Sequence, residues 1–398
     1  MMRTNGFALF RGEQAAGRAE EAMRRVERYC DKVIVGAEGQ FGGAGEAGLS
    51  GASGVVVAYS LCGTGFPLVH GFLEDEEAAR KGEFSLLEDG PSGLSGARDA
   101  LGTRGLWIEG SGPGAGSVAS DHRLLSRAAT LTPRGALVAR AGKGHRRRLD
   151  FRDAADELAA LIDRSVESRV SGLGRVAVSF SGGLDSSLLA KVASKYCHVV
   201  LCSAFAPGSL DERQSERAAA LLGLRLETAL LEEETVGATS VTEELPPGVA
   251  TVMDSALWCI YSAASGLAAS KGARTILLGQ LADELFGGYM KYATRLKEEG
   301  PRSAQQMMED DVAGCADRGF LRDEAACSRS CEVRFPYADE GVASFAAQIP
   351  VDYKIRDGER KAVLRAAATH LGLPDELAAA PKKAAQFSSG AAKLLKGL

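Results

Sequence analysis

The stretch that most constrains this chain is VAVSFSGGLDSS, from Val176 to Ser187. Val176–Phe180 is a short apolar run of the length of a buried strand. After the glycines comes an amphipathic segment with Leu188, Leu189, Val192 and Tyr196 on one side, so the run predicts strand, tight turn, helix. Gly182 and Gly183 let the backbone turn sharply and bring N–H groups to an anion with no Cβ in the way. The helix N-terminus adds partial positive charge at the same point. Ser181, Ser186 and Ser187 supply hydroxyl donors to phosphate oxygens. Asp185 would be repelled by phosphate unless a cation lies between them, which implies Mg2+. The other common nucleotide loop, GxxxxGK[ST], is absent. Gly110–Ser117 (GSGPGAGS) has neither the lysine nor a following helix and reads as a flexible turn.

The same alternation continues downstream. His198–Phe205 reads as a second strand, and Asp211–Leu222 as a helix closed by Gly223 at C′. Asp254 suits the cap of a long helix ending near Lys271–Gly272, and Thr275–Leu278 is a further strand. This spacing predicts an α/β fold, a parallel sheet with helices on both faces. The first 140 or so residues differ: short apolar runs (Val33–Val35, Val55–Leu61, Leu137–Ala139) alternate with glycine-rich turns, predicting a smaller β-rich domain. A chain of 398 residues has room for two domains, and the boundary is placed near Asp150, giving 1–150 and 151–398.

A net charge of −5 gives no electrostatic reason to expect a nucleic-acid partner. The basic run Lys143–Arg148 reads as a solvated linker. No apolar stretch approaches the ~20 residues that span a bilayer, and no secretory pattern is seen at the N-terminus. The eight cysteines show no CxxC pairing. Cys315, Cys327 and Cys331 lack the second pair or histidine that would complete a metal site. A reducing, cytoplasmic setting is the expectation.

Two further constellations carry chemistry. Gly279–Tyr289 (GQLADELFGGY) follows an apolar strand, and its adjacent acids Asp283 and Glu284 suit metal coordination or a hydrogen bond to a charged ligand. A site shared with Asp185 follows if both strands lie in one sheet. Towards the C-terminus come Glu332–Pro336 (EVRFP), Lys354, Lys361–Arg365 (KAVLR) and Pro381–Gly390 (PKKAAQFSSG). Lysines beside a polyphosphate neutralise charge building on a leaving group; composition alone makes them surface cations.

In this order and spacing, SGGLDSS, Pro207–Asp211, GQLADELFGGY, EVRFPYAD, KAVLR and PKKAAQFSSG resemble the synthetase domain of the asparagine synthetase family. The resemblance runs from about Phe151 to Gly390, and Thr251–Gly266 is similar to the archaeal and eukaryotic branch. It implies an adenine nucleotide alpha hydrolase-like sheet. It also implies an ATP site made by Ser181, Gly182, Gly183, Asp185, Ser186, Ser187 and Gly279, with Mg2+ on Asp185 and Asp283. Lys361 would stabilise the adenylation transition state and the departing pyrophosphate, with Glu284 beside it as a further catalytic candidate. The implied reaction is attack of the aspartate side-chain carboxylate on the α-phosphate, then displacement of AMP by ammonia. Bacterial members carry a base on the incoming amine upstream of the acidic loop. Here Asp254 lies near that place, as base or as helix cap.

Ala97–Trp107, Ser117–Leu125 and Leu131–Gly135 resemble the later part of the family's N-terminal-nucleophile glutaminase domain. That domain uses a cysteine exposed by removal of the initiator Met. Here the chain reads Met1-Met2-Arg3-Thr4, and the first cysteine is Cys30, which has no terminal amine as base. The expectation is a degenerate domain without glutaminase activity, with free ammonia, a separate ammonia donor or a homodimer left open. Two alternatives stand beside aspartate amidation: adenylation of a different carboxylate, as in β-lactam synthetases, and a nucleotide-binding scaffold without turnover.

Overall fold

The computed structural model describes residues 150–232, 251–316, 318–380 and 388–396, ten strands within the first 131 residues, and Arg98 and Leu101. The N-terminal strands form two sheets. One runs Met2–Thr4, Leu68–Leu73, Gly82–Gly90, Gly93–Arg98; the other runs Thr130–Leu131, Trp107–Glu109, Ser117–Ala119, Phe7–Arg11, Gly54–Ser60, Lys32–Ala37. The expected runs at Val33–Val35 and Val55–Leu61 are thus strands. Leu137–Ala139, Cys30 and Lys143–Arg148 lie outside the described residues.

The second part is built on one parallel sheet. Its strands are β1 (Arg175–Ser179), β2 (His198–Phe205), β3 (Leu226–Leu230), β4 (Thr275–Leu277) and β5 (Glu332–Arg334), in the spatial order β3-β2-β1-β4-β5. Around it lie α1 (Phe151–Val170), α2 (Leu184–Ala193), α3 (Leu210–Leu222), α4 (Val252–Ser270), α5 (Ala282–Phe286), α6 (Met290–Glu299), α7 (Pro301–Cys315), α8 (Gly319–Cys327), α9 (Glu340–Gln348), α10 (Val351–Lys354) and α11 (Ala362–His370). From β1 to β3 the chain steps one way across the sheet; from β3 to β5 it steps back past β1. Right-handed crossovers therefore put α2 and α3 on one face and α4 and α8 on the other. The packing agrees: α1 lies against α2, and α4 lies against α8.

The strand order reverses between β1 and β4. There the loops leaving the carboxyl ends diverge in opposite directions and open a crevice, the usual ligand position of such sheets. The residues around it fix this geometry. Val176, Ala177, Val178, Ile276 and Leu277 are fully buried, the signature of strands covered on both faces. Leu188, Leu189 and Val192 pin α2 to the sheet, each contributing about 1.5–3 kcal/mol. Tyr196, expected on that same helix face, lies past the end of α2 and donates instead to Asp163 at 2.9 Å. Gly223 sits at φ 65° and closes α3 as expected.

Two expectations change. β5 is a strand, so the EVRFP stretch is a sheet edge: the Arg334 guanidinium pairs with Glu332 and donates to the Arg169 carbonyl. Asp254 is not the cap of α4. Thr251 is, and its hydroxyl accepts from the Asp254 N–H at 3.2 Å. Residues 251–254 form the threonine-x-x-acid box of a helix start, in which the acid sits at the third helical position.

Candidate active site

The loop after β1 and the loop after β4 meet at Lys361. Its Nζ lies 2.6 and 2.7 Å from the two carboxylate oxygens of Asp185 and 2.7 Å from Oδ1 of Asp283. The lysine side chain is 1% exposed, the two aspartates 17% and 15%. A buried ammonium facing two carboxylates is favourable only with such short contacts, because desolvation of each ion costs several kcal/mol. Lys361 has a left-handed backbone, φ 61°. A non-glycine residue there is held by its surroundings at a cost of roughly 1–3 kcal/mol.

Two glycines make room. A Cβ on Gly182, at φ 71°, would stand 2.5 Å from the Gln214 carbonyl oxygen. One on Gly288 would stand 1.9 Å from Asp283 Oδ1 and 2.4 Å from Lys361 Cε. The loop is tied from outside as well. Tyr337 donates to the Asp185 carbonyl at 3.1 Å, and Arg360 donates to the Gly288 carbonyl at 2.7 Å. Gly183 begins α2, and its N–H reaches Ser181 Oγ at 3.3 Å. Gly279 passes close behind Asp185, so that a Cβ there would lie 3.2 Å from the Asp185 Cβ.

A cavity of about 600 Å³ opens from this junction, lined by Ser181, Asp185, Ser186, Gly279, Asp283 and Glu284, and further out by Asp254, Arg318 and Arg322. It lies within the usual range for ligand sites, about 300–1,000 Å³. On the other side of Lys361 a cleft of about 40 Å³ is lined by Ser181, Gly183, Asp185, Asp211, Lys361 and Arg365. Two cations and the start of α2 converge there, as an anion requires. Ser187 takes no part in either wall. It is 0% exposed, and its hydroxyl has no hydrogen-bond partner among the described residues.

Glu284 is buried beneath the larger cavity and accepts from the Tyr289 hydroxyl at 2.7 Å. Burial raises its pKa above the usual carboxylate range, and the neighbouring Asp283 charge adds to that rise. Asp254 is fully buried. Oδ1 accepts from Arg322 at 2.9 Å, and Oδ2 from Arg318 at 3.2 Å and from the Thr251 hydroxyl. With both oxygens engaged, Asp254 holds two guanidinium groups in the cavity wall. Arg322 also pairs with the buried Asp323, which burial raises to about 6.

The loop, both acids of the second constellation and Lys361 are therefore brought together, and Asp254 shares the cavity. Lys354 is not there: it lines a separate cavity. Lys382 and Lys383 lie outside the described residues. Tyr337, Arg318 and Arg322 were not singled out from the sequence. The YAD following EVRFP was a signal for Tyr337; the two arginines sit in a helical stretch with no motif of its own. The residues could hold a metal–nucleotide. Asp185 and Asp283 supply the one or two carboxylates that Mg2+ takes beside phosphate oxygens, and among the described residues no cluster of three or more ligating side chains forms a metal cage by itself. No helix among the described residues is long and apolar enough to cross a membrane.

Comparison with known proteins gives the family. A Methanocaldococcus jannaschii protein, provisionally named a glutamine-hydrolyzing asparagine synthetase, is 31% identical over 62% of this chain and 51% of its own. Asparagine synthetase domain-containing protein 1 of Mus musculus is 32% identical over 37% of this chain and 26% of its own. The chain thus spans about half the length of the archaeal relative and about a quarter of the mouse one. The solved NMN synthetase from Francisella tularensis covers 61% of this chain and 79% of its own, at 10% identity and a TM-score of 0.32, too low to carry an argument. The family model for asparagine synthase matches residues 157–315 and 296–398, more than half of the chain, and the chain belongs to the asparagine synthase family.

Proposed function

We propose that this chain is an ATP-dependent, Mg2+-assisted ligase. It joins the side-chain carboxylate of aspartate to ammonia, giving asparagine, AMP and pyrophosphate. The carrying observation is the junction of Lys361 with Asp185 and Asp283 at the sheet's reversal point, beside the Gly182–Gly183 turn that opens α2. In this reading the carboxylate oxygen bonds the α-phosphorus as the bond to pyrophosphate breaks; ammonia then bonds the carbonyl carbon, and AMP leaves.

Each residue has a share in that chemistry. Ser181, Gly183, Ser186 and the first turn of α2 bind the phosphates. Asp185 and Asp283 would hold Mg2+, whose contribution is charge neutralisation on the phosphate oxygens. Lys361 and Arg365 face the leaving pyrophosphate and offset the charge it gains, the kind of preorganised electrostatic effect worth several kcal/mol in a dry site. Glu284, held by Tyr289, keeps a proton more readily than an exposed carboxyl and stands beside the reacting groups as a hydrogen-bond donor. Asp254 is read as the anchor of Arg318 and Arg322 rather than as the base, because neither of its oxygens is open to an amine.

The test is product formation. AMP and pyrophosphate should appear in equal amounts when ATP, Mg2+, aspartate and ammonium are supplied, with an asparagine for each. Replacing ammonium by glutamine tells whether this chain supplies its own ammonia. Release that ignores aspartate but answers another carboxylate would replace the aspartate reading by a different adenylating ligase. Binding of ATP with no release for any acid would leave a scaffold.

A further inference from the structure

A second cavity, of about 190 Å³, lies on the far side of α5 from the cleft, with Leu285, Met308, Val312, Ala343 and Leu101 of the N-terminal part among its apolar lining. Among the described residues its one cation is Lys354, at the end of α10. Lys354 is 2% exposed and makes no hydrogen bond or ion pair with any described residue. Burying a charge without a partner is among the costlier features a fold can carry. Desolvation brings the amine down to about 8, and only the more distant Glu309 opposes that shift.

The acids near the cavity do not neutralise it. Glu309 and Asp310 are exposed at the rim, where each accepts from a glutamine one turn earlier, Gln305 and Gln306, at 2.8 and 2.9 Å. The Glu284 carboxyl, which lines both this cavity and the cleft, is engaged by the Tyr289 hydroxyl, from which it accepts at 2.7 Å. What remains is an apolar chamber with an ammonium group in its wall.

We propose that this cavity is a binding site for a short aliphatic monocarboxylate, whose carboxylate pairs with Lys354 and whose chain lies against Leu285, Met308 and Val312. The volume, equal to about six waters at ~30 Å³ each, matches a molecule of about six non-hydrogen atoms. Lys354 lies outside the lining of the nucleotide cleft, and Glu284 is the residue that stands in the walls of both cavities.

Calorimetric titration of the full chain with butanoate tests this. Saturable binding in the millimolar range is expected, with butanamide at least about tenfold weaker, since one charge-assisted pair is lost. Lys354→Met, whose folding is checked by circular dichroism, should lose butanoate binding. Ala347→Leu, which keeps the lysine but narrows the cavity, should weaken it even where the lysine variant does not fold. Absence of saturable binding overturns the proposal. So does equal binding of butanamide, or unchanged binding by either folded variant. Asparagine formation is a separate readout, so failure here leaves the ligase reading untouched.

Discussion

At the scale of single residues, the site depends on how closely three charged groups approach. Lys361 hydrogen-bonds both oxygens of Asp185 and forms an ion pair with Asp283, and Gly288 packs against that junction with no room for a side chain. Asp185→Asn keeps the shape but removes one of the two carboxylates. Turnover should fall by about 10²–10³ or more, with the thermal midpoint moving by only about a few degrees. Gly288→Ala should be as damaging to turnover, because its Cβ drives Asp283 and Lys361 apart; a Gly288→Ala variant with wild-type rates would show that their contact is dispensable. The sequence marked Asp185, Asp283 and Lys361 through motifs with special composition. It could not show that they meet, since 176 positions separate Asp185 from Lys361, and only the fold closes that distance. Arg318 and Arg322 escaped notice because an arginine in a helix normally faces solvent; here Asp254 draws one of them fully inside.

At the scale of elements, strands with continuous apolar runs were legible and edge strands were not. β1, β2 and β4 lie in the middle of the sheet and read as such. β3 (LETAL) is half-exposed along its length, and β5 (EVR) has two charges in three residues; edge strands need little hydrophobicity, so periodicity does not reveal them. The start of α4 was misread for a different reason. Threonine and aspartate both cap helices, and the spacing between Thr251 and Asp254 is what identifies the threonine as the cap. The assignment makes a prediction about stability. Thr251→Ala should cost about 1 kcal/mol, as a lost cap does. Asp254→Ala should cost more, about 1.5–3 kcal/mol, because it removes a charge-assisted hydrogen bond from the buried Arg322 guanidinium, which keeps only Asp323 as its partner. Denaturant titration of both variants measures the difference; equal costs would argue that Asp254 acts only locally at the helix end.

At the scale of the whole molecule, two sheets precede a parallel sheet whose reversal point carries the site, and Arg98 links the two parts by donating to the Ala316 carbonyl at 2.9 Å at the end of α7. The proposed division at Asp150 coincides with the cap of α1, where Asp150 accepts from the Asp153 N–H at 2.8 Å. Global stability should also report Lys354. Its amine is lowered from 10.5 to about 8 on folding, so between those values the unfolded chain binds more protons than the folded one. Stability should therefore rise from pH 8 towards 10.5, by up to about 3 kcal/mol. Lys354→Met should be the more stable protein near pH 7 and should lose that rise, which thermal unfolding across the range would show. The central claim concerns the cleft, and exchange of labelled pyrophosphate into ATP tests it most directly, since it reports the first step whatever amine follows. Exchange that requires Mg2+ and aspartate, and that disappears in Asp185→Asn, is the predicted result; ATP bound without exchange for any carboxylic acid offered would contradict it.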